Sequence, residues 1–239
     1  MPLKNKVAVV TGATGALGRV VTKILLENGA YVVSTYRNEG NKLELIEFLD
    51  DLKHNLIGVE TDVTSEKSVQ ILFQKTIEKH GRIDILLNIV GSYMGGDEIA
   101  DTKESDWDFM MNVNLKSAFL YSYAALAFMI KQNYGKIVSV AARPAVEKRW
   151  RVKSGAYAIS KAGVVALTET IAEEVKKYDI NVNCVMPSTI DTPDNRRKFL
   201  NSDFSRWVNP EDVVKVILFL VSDDSRVISG ASIPVYGKA

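Results

Sequence analysis

Short β-branched runs alternate with helical periods along almost the whole of this chain, and no other feature restricts its fold as strongly. Lys6–Thr11 is short, β-branched and closed by Gly12, the pattern of a buried strand. Ala16–Asn28 then places Leu17, Val20, Val21, Ile24 and Leu25 at helical spacing and stops at Asn28–Gly29, a C-terminal signal. The pair recurs. Strands are predicted at Tyr31–Tyr36, Leu56–Thr61, Ile83–Asn88, Lys136–Ala141, Ile180–Val185 and Ser232–Val235. Helices are predicted at Lys42–Lys53, Ser65–His80, about Lys103–Gln132, Ser154–Tyr178 and Pro210–Val221. Strands that are apolar on both faces and separated by helices call for a parallel sheet covered on both sides. Right-handed crossovers make that sheet doubly wound. One stretch breaks the pattern: residues 186–208 hold Pro187, Pro193 and many polar side chains, and are expected to form a substrate loop.

Composition narrows the class. The 239 residues are 46% apolar and 25% charged, as a single globular domain over residues 1–239 with a full core would be. Thirty Lys and Arg against 29 Asp and Glu leave a net charge of +1, which excludes a strongly basic nucleic-acid binder and an acidic disordered tail. Cys184 is the only cysteine, so no internal disulfide forms and a cysteine-ligated zinc site is not expected. The most apolar stretch, Ala118–Ile130, is shorter than the ~18 residues of a membrane span. Met1–Lys6 does not resemble a signal peptide. The expectation is a cytoplasmic protein with a small-molecule substrate, and neither a nucleic acid nor a membrane as partner.

The run Thr11-Gly12-Ala13-Thr14-Gly15-Ala16-Leu17-Gly18 lies in the first strand-to-helix turn. Glycines there let backbone approach a diphosphate, while the helix N-terminus supplies N–H donors and partial positive charge. Position makes this motif informative, because a βαβ pattern follows it. The fold expected is therefore α/β, a Rossmann-type doubly wound parallel sheet of about seven strands. At the tip of the second strand, Tyr36 and Arg37 stand where an NAD enzyme usually carries Asp or Glu. An arginine there can pair with a 2′-phosphate, which favours NADP(H), with NAD(H) as the alternative. Asp62 and Val63 are placed to meet the adenine, and Asn88-Ile89-Val90-Gly91 to border the ribose and brace the sheet. Tyr157 and Lys161 stand four apart at the start of a helix, so they share a face. An ammonium beside a phenol is expected to bring its pKa down toward the working range.

With these residues in place, the whole chain resembles the short-chain dehydrogenase/reductase family. The resemblance makes Gly12, Thr14, Gly15, Leu17 and Gly18 the diphosphate turn, and Asp62, Val63, Asn88, Val90, Pro187 and Thr189 further cofactor contacts. It assigns Tyr157 as acid/base, Lys161 as its partner and ribose ligand, and Asn114 as the holder of a proton-relay water. It also implies a homo-oligomer, a tetramer or dimer. The apolar surplus of Phe119, Tyr121, Tyr123 and Phe128 is consistent with such an interface.

Two departures stand out. Ala142 occupies the position of the family's catalytic serine, and Ser188 follows Pro187 where the family usually has Gly. Ser139 is three residues too early and on the other strand face, so it is no simple substitute. Residues 187–196 and 203–207 resemble the C-terminal part of quinonoid dihydropteridine reductases, a branch that also lacks the serine and whose acceptor is already electron-poor. The reading is an NAD(P)(H)-dependent oxidoreductase passing hydride to a carbonyl or an activated C=N or quinonoid group. The alternatives are a dihydropteridine-reductase-like enzyme and a non-catalytic nucleotide-binding protein. A basic segment around Trp150, from Arg143 to Lys153, would border the substrate pocket and could take an anion, or could equally be a solvated loop.

Overall fold

The computed structural model describes residues 3–238. Seven parallel strands form one sheet in the order β3-β2-β1-β4-β5-β6-β7. They are β1 (Val7–Thr11), β2 (Tyr31–Tyr36), β3 (Leu56–Glu60), β4 (Ile85–Asn88), β5 (Gly135–Val140), β6 (Ile180–Pro187) and β7 (Ser232–Val235). Successive residues of β1 feed opposite sides of the sheet. Ala8 and Val10 join one core with α1 (Ala16–Glu27) and α8 (Pro210–Val221), while Val9 joins the other. That second core is closed by α3 (Glu66–His80), α5 (Ser117–Gln132) and α6 (Gly155–Glu174). The doubly wound sheet expected from the alternation is the one observed.

Helix α2 and the long helix before β5 differ from expectation, each for a local reason. Helix α2 spans Glu39–Leu49, earlier than Lys42–Lys53, because Asn38 caps it by accepting from the Asn41 N–H at 3.0 Å. Asp50, at φ 47°, then ends it, and Asp50–Asn55 continues as a 3₁₀ turn. The long helix runs through α4 (Glu104–Met110) and α5, but Met111–Lys116 between them is a π turn. π turns concentrate at functional sites because one extra residue re-aims the side chains that follow. Within it lies Asn114, buried to 1% exposure. By length and composition the continuous helix Glu104–Gln132 could cross a membrane, yet half of its most apolar window is buried in the fold. Tyr121, expected on an interface, is instead fully buried 5.9 Å from the Phe73 ring.

The segment after β6 carries structure of its own. Thr192 caps α7 (Pro193–Lys198), accepting from Asn195 N–H at 3.2 Å. An isolated bridge between Ile190 and Val208 closes the excursion, reinforced by Val208 N–H to Thr189 O at 3.1 Å. The excursion therefore leaves and returns at one point, over the C-terminal end of the sheet.

Candidate active site

A cleft of about 1310 Å³ opens at the C-terminal ends of the strands, where the order reverses between β1 and β4. Doubly wound sheets bind ligands at this switch point. Gly12, Thr14, Gly15, Leu17, Gly18, Arg37, Asp62, Val63, Val90, Tyr157, Lys161, Pro187 and Thr189 all line it.

The glycine turn is built from close backbone approaches. Gly12 sits at φ +67°, and a Cβ on it would lie 3.0 Å from Val90 N. A Cβ on Gly18 would lie 2.0 Å from the Gly12 carbonyl oxygen, so no side chain fits there. Gly15 is the N-cap of α1, and no side chain caps the helix. The first-turn N–H groups of α1 therefore face the cleft without a side-chain acceptor, as a bound diphosphate requires. Thr11 locks the turn to β4: its Oγ1 accepts from Ile89 N–H at 2.9 Å and Val90 N–H at 3.1 Å. Gly12 N–H in turn donates to Thr35 Oγ1 at 3.1 Å. These threonines were not singled out in the sequence, since their partners are far away in the chain.

At the far end of the cleft, Arg37 is exposed. Tyr36 is buried, and its hydroxyl donates to Glu39 Oε1 at 3.0 Å. Lys42 also donates to that carboxylate at 3.1 Å, so Glu39 is matched by a positive charge. Asp62 Oδ1 accepts from both the N–H and the hydroxyl of Thr64, at 2.9 and 2.7 Å. Those bonds hold its carboxyl below the ordinary aspartate range and fix its orientation.

At the catalytic end, two of the expected residues lie beneath the cleft and do not line it. Asn88 donates to Ser122 Oγ at 3.1 Å and Ser139 Oγ at 3.2 Å, so it braces β4 against α5 and β5 as expected, while Ile89, Val90 and Gly91 after it line the cleft. Ser139 is thereby occupied inside the sheet. Asn114 holds the loop after β4 through Ser92, accepting from its N–H at 2.8 Å and donating to its carbonyl at 3.1 Å. Its amide also donates to Ser160 Oγ at 2.9 Å, and the Ser160 hydroxyl in turn donates to the Tyr157 carbonyl at 2.7 Å. A chain of bonds thus joins the Ser92 loop, the π turn and α6. Gly91 makes the junction possible, because a Cβ there would stand 3.0 Å from Lys161 Nζ and 3.1 Å from Asn114 Oδ1.

The phenol is not perturbed as its spacing from the lysine suggested. Burial, then the nearby Tyr93, push Tyr157 upward from the ordinary tyrosine value, so the hydroxyl stays protonated. Lys161 Nζ donates to the Val140 carbonyl at 2.7 Å, and burial lowers its pKa to about 8. Desolvation is the largest influence on each of the two groups. Tyr93 packs edge-on against Tyr157 with centroids 4.9 Å apart, and Phe199 from the segment after α7 packs 6.3 Å from Tyr93. Both line the cleft, and neither carried a sequence signal beyond being aromatic in a loop.

Ala142 lines the cleft with extended backbone and brings no hydroxyl to it. Ser188 does not replace that hydroxyl, since its Oγ donates to the Tyr236 carbonyl at 2.8 Å.

Residues 12–237 match a family model described as enoyl-(acyl carrier protein) reductase. The chain is 34% identical over 245 residues to the 3-oxoacyl-[acyl-carrier-protein] reductase FabG of Thermotoga maritima, covering 99% of this chain and 98% of that one. Among solved structures it is similar to an NAD⁺-bound xylitol dehydrogenase, at 26% identity and TM-score 0.91, over 99% of this chain and 100% of the other. It is equally similar to ElxO with NADP bound, at 26% identity and TM-score 0.91 over 97% of each chain.

Proposed function

The chain belongs to the short-chain dehydrogenase/reductase family and is an NAD(P)-dependent oxidoreductase; on that premise we propose that it works with NADPH as a reductase of electron-poor acceptors. A bound nicotinamide would supply the hydride. The glycine turn and the α1 N-terminus would hold its diphosphate, Asp62 and Val63 its adenine, and Lys161 its ribose. Arg37, with the carboxylate of Glu39 already matched by Lys42, supports a 2′-phosphate over a bare ribose hydroxyl. NADP(H) is therefore the cofactor we favour.

The observation that carries the reading is the place of Tyr157, which lines the same cleft as the glycine turn and Lys161. Burial raises its pKa, so the phenol meets an acceptor with its proton in place, as the acid in reduction must. Tyr157 would give its proton to the oxygen or nitrogen of the acceptor as hydride reaches the adjacent carbon. Ala142 sets the acceptor class. A donor aimed at developing charge is worth roughly 2.7–4 kcal/mol, and an acceptor already polarised, such as an iminium or quinonoid ring, needs it least.

The experiment is NADPH oxidation by purified protein with plain ketones, quinones and quinonoid dihydropterins, on the native chain and on Ala142→Ser. Turnover confined to the electron-poor acceptors, with little gain from the serine, supports the reading. A large gain on plain ketones returns the protein to ordinary carbonyl reduction. The missing serine also favours a second reading, nucleotide binding without catalysis, and tight NADPH binding with no oxidation by any acceptor would establish it. Self-association is part of the same proposal: Phe119 and Tyr123 on α5 are exposed and stack at 6.1 Å, an apolar pair suited to a second copy. Light scattering at micromolar protein would read a dimer or tetramer, and a monomer would reject it.

A further inference from the structure

A buried positive charge beside Ala142 has no part in the chemistry above. The Arg143 side chain is only 8% exposed, and it lines the cleft together with Arg149 and Trp150. Its guanidinium lies 5.0 Å from the centre of the Trp150 ring and 4.6 Å from that of Tyr236, held between two aromatic rings. Nε donates to Glu147 Oε2 at 2.9 Å. That same oxygen lies 3.5 Å from Arg149 Nε, so two guanidiniums share one carboxylate. Neither Nη1 nor Nη2 of Arg143 finds an acceptor among the described residues; Nη1 is enclosed, and Nη2 is the donor left accessible at the cleft. The other cations of the segment are engaged elsewhere or solvated. Arg151 is spent on the carbonyls of Pro144 and Ala145, and Lys148 and Lys153 are exposed to solvent.

Arginine does not discharge when buried, as lysine can, so its burial calls for acceptors on every donor. A half-matched guanidinium, held by two rings at the wall of a cleft and sharing its one carboxylate with Arg149, is preorganised for one more anion. We propose that Arg143 binds a carboxylate of the substrate. The same cleft supplies an apolar complement: Tyr93, packed on Tyr157, and Phe199, packed on Tyr93, both line it. The substrate class is then an acid with an apolar or aromatic body, its carboxylate on Arg143 and its reducible group at Tyr157. The claim rests on the proposed reductase reading for the reducible group, and on Arg143 alone for the anion.

Benzoate and benzamide, equal in shape and different in charge, separate the two parts. Calorimetric titration of each into the protein, alone and with NADP⁺, needs no turnover. Benzoate should bind at least about 10-fold more tightly, the worth of one charge-assisted bond. Arg143→Met should erase the preference while leaving NADPH affinity unchanged. Glu147→Gln removes the competing carboxylate and should tighten benzoate binding; it also decides the matter if Arg143→Met fails to fold. Equal binding of the two probes, a preference that survives Arg143→Met, or benzoate affinity unmoved by Glu147→Gln would each overturn the proposal. In turnover, an aromatic α-keto acid should exceed its methyl ester in kcat/KM by a similar factor, and Arg143→Met should level the two. Binding as expected with no NADPH oxidation would reject the reductase reading and leave the anion site standing.

Discussion

Replacing Asn114 by alanine cuts the bond chain that joins the Ser92 loop to α6. Three conventional hydrogen bonds disappear: from Ser92 N–H at 2.8 Å, to Ser92 O at 3.1 Å and to Ser160 Oγ at 2.9 Å. At about 1 kcal/mol net for each bond, the loss is about 3 kcal/mol. Water can reach the half-buried Ser92 and recover part of it, which brings the expected loss to about 2–3 kcal/mol. For a chain of this size that lowers Tm by roughly 4–12 °C. Urea unfolding of the native chain, Asn114→Ala, Ser160→Ala and the double variant measures it, and the cycle isolates the Asn114–Ser160 bond at about 1 kcal/mol. Because Gly91 seats Lys161 Nζ and Asn114 Oδ1 side by side, the loosened loop should also slow NADPH oxidation by about 10–100-fold. A stability loss under about 0.5 kcal/mol, or strict additivity with Ser160→Ala, would refute the reasoning.

Gly18→Ala must displace backbone, since its Cβ would sit 2.0 Å from the Gly12 carbonyl oxygen. NADPH binding should be lost before the fold is, read by nucleotide titration beside a thermal melt, and unchanged affinity would contradict the close approach. Arg37→Asp should weaken NADPH by about 100-fold and NADH by less than about 3-fold, measured by titrating both cofactors; equal losses would remove Arg37 from the specificity role. Lys161 adds a pH signature. Its folded pKa, about 8, is below the unfolded value of 10.5, so between those values the unfolded chain binds the extra proton and stability rises with pH. Lys161→Met should flatten the rise seen between pH 8 and 10 in urea midpoints, and identical slopes would show that burial does not depress this lysine.

The sheet was legible because Val9 and its neighbours on β1 are apolar on both faces, a pattern only a covered parallel strand satisfies. The glycine turn was legible for a similar reason: contacts within a few residues, such as Gly18 against Gly12, leave their mark in local spacing. What the sequence hid depends on partners far along the chain. Asn88 was expected to brace the sheet, but its partner Ser139, 51 residues away, could not be named from the sequence. The π turn at Asn114 is invisible to periodicity, because α5 after it is apolar around most of its circumference and has no single stripe whose shift would show. The Tyr157–Lys161 spacing correctly put both side chains at the cleft, but burial, which no spacing records, decides how each is protonated.

Tyr157→Phe tests most directly whether this cleft reduces its substrate with a tyrosine proton. The ring and its packing on Tyr93 remain, and only the hydroxyl goes. Stopped-flow NADPH oxidation with the best acceptor from the panel should slow by about 10²–10⁴-fold, while NADPH affinity stays within about 2-fold. Oxidation at the native rate by Tyr157→Phe would contradict the assignment of the proton to Tyr157.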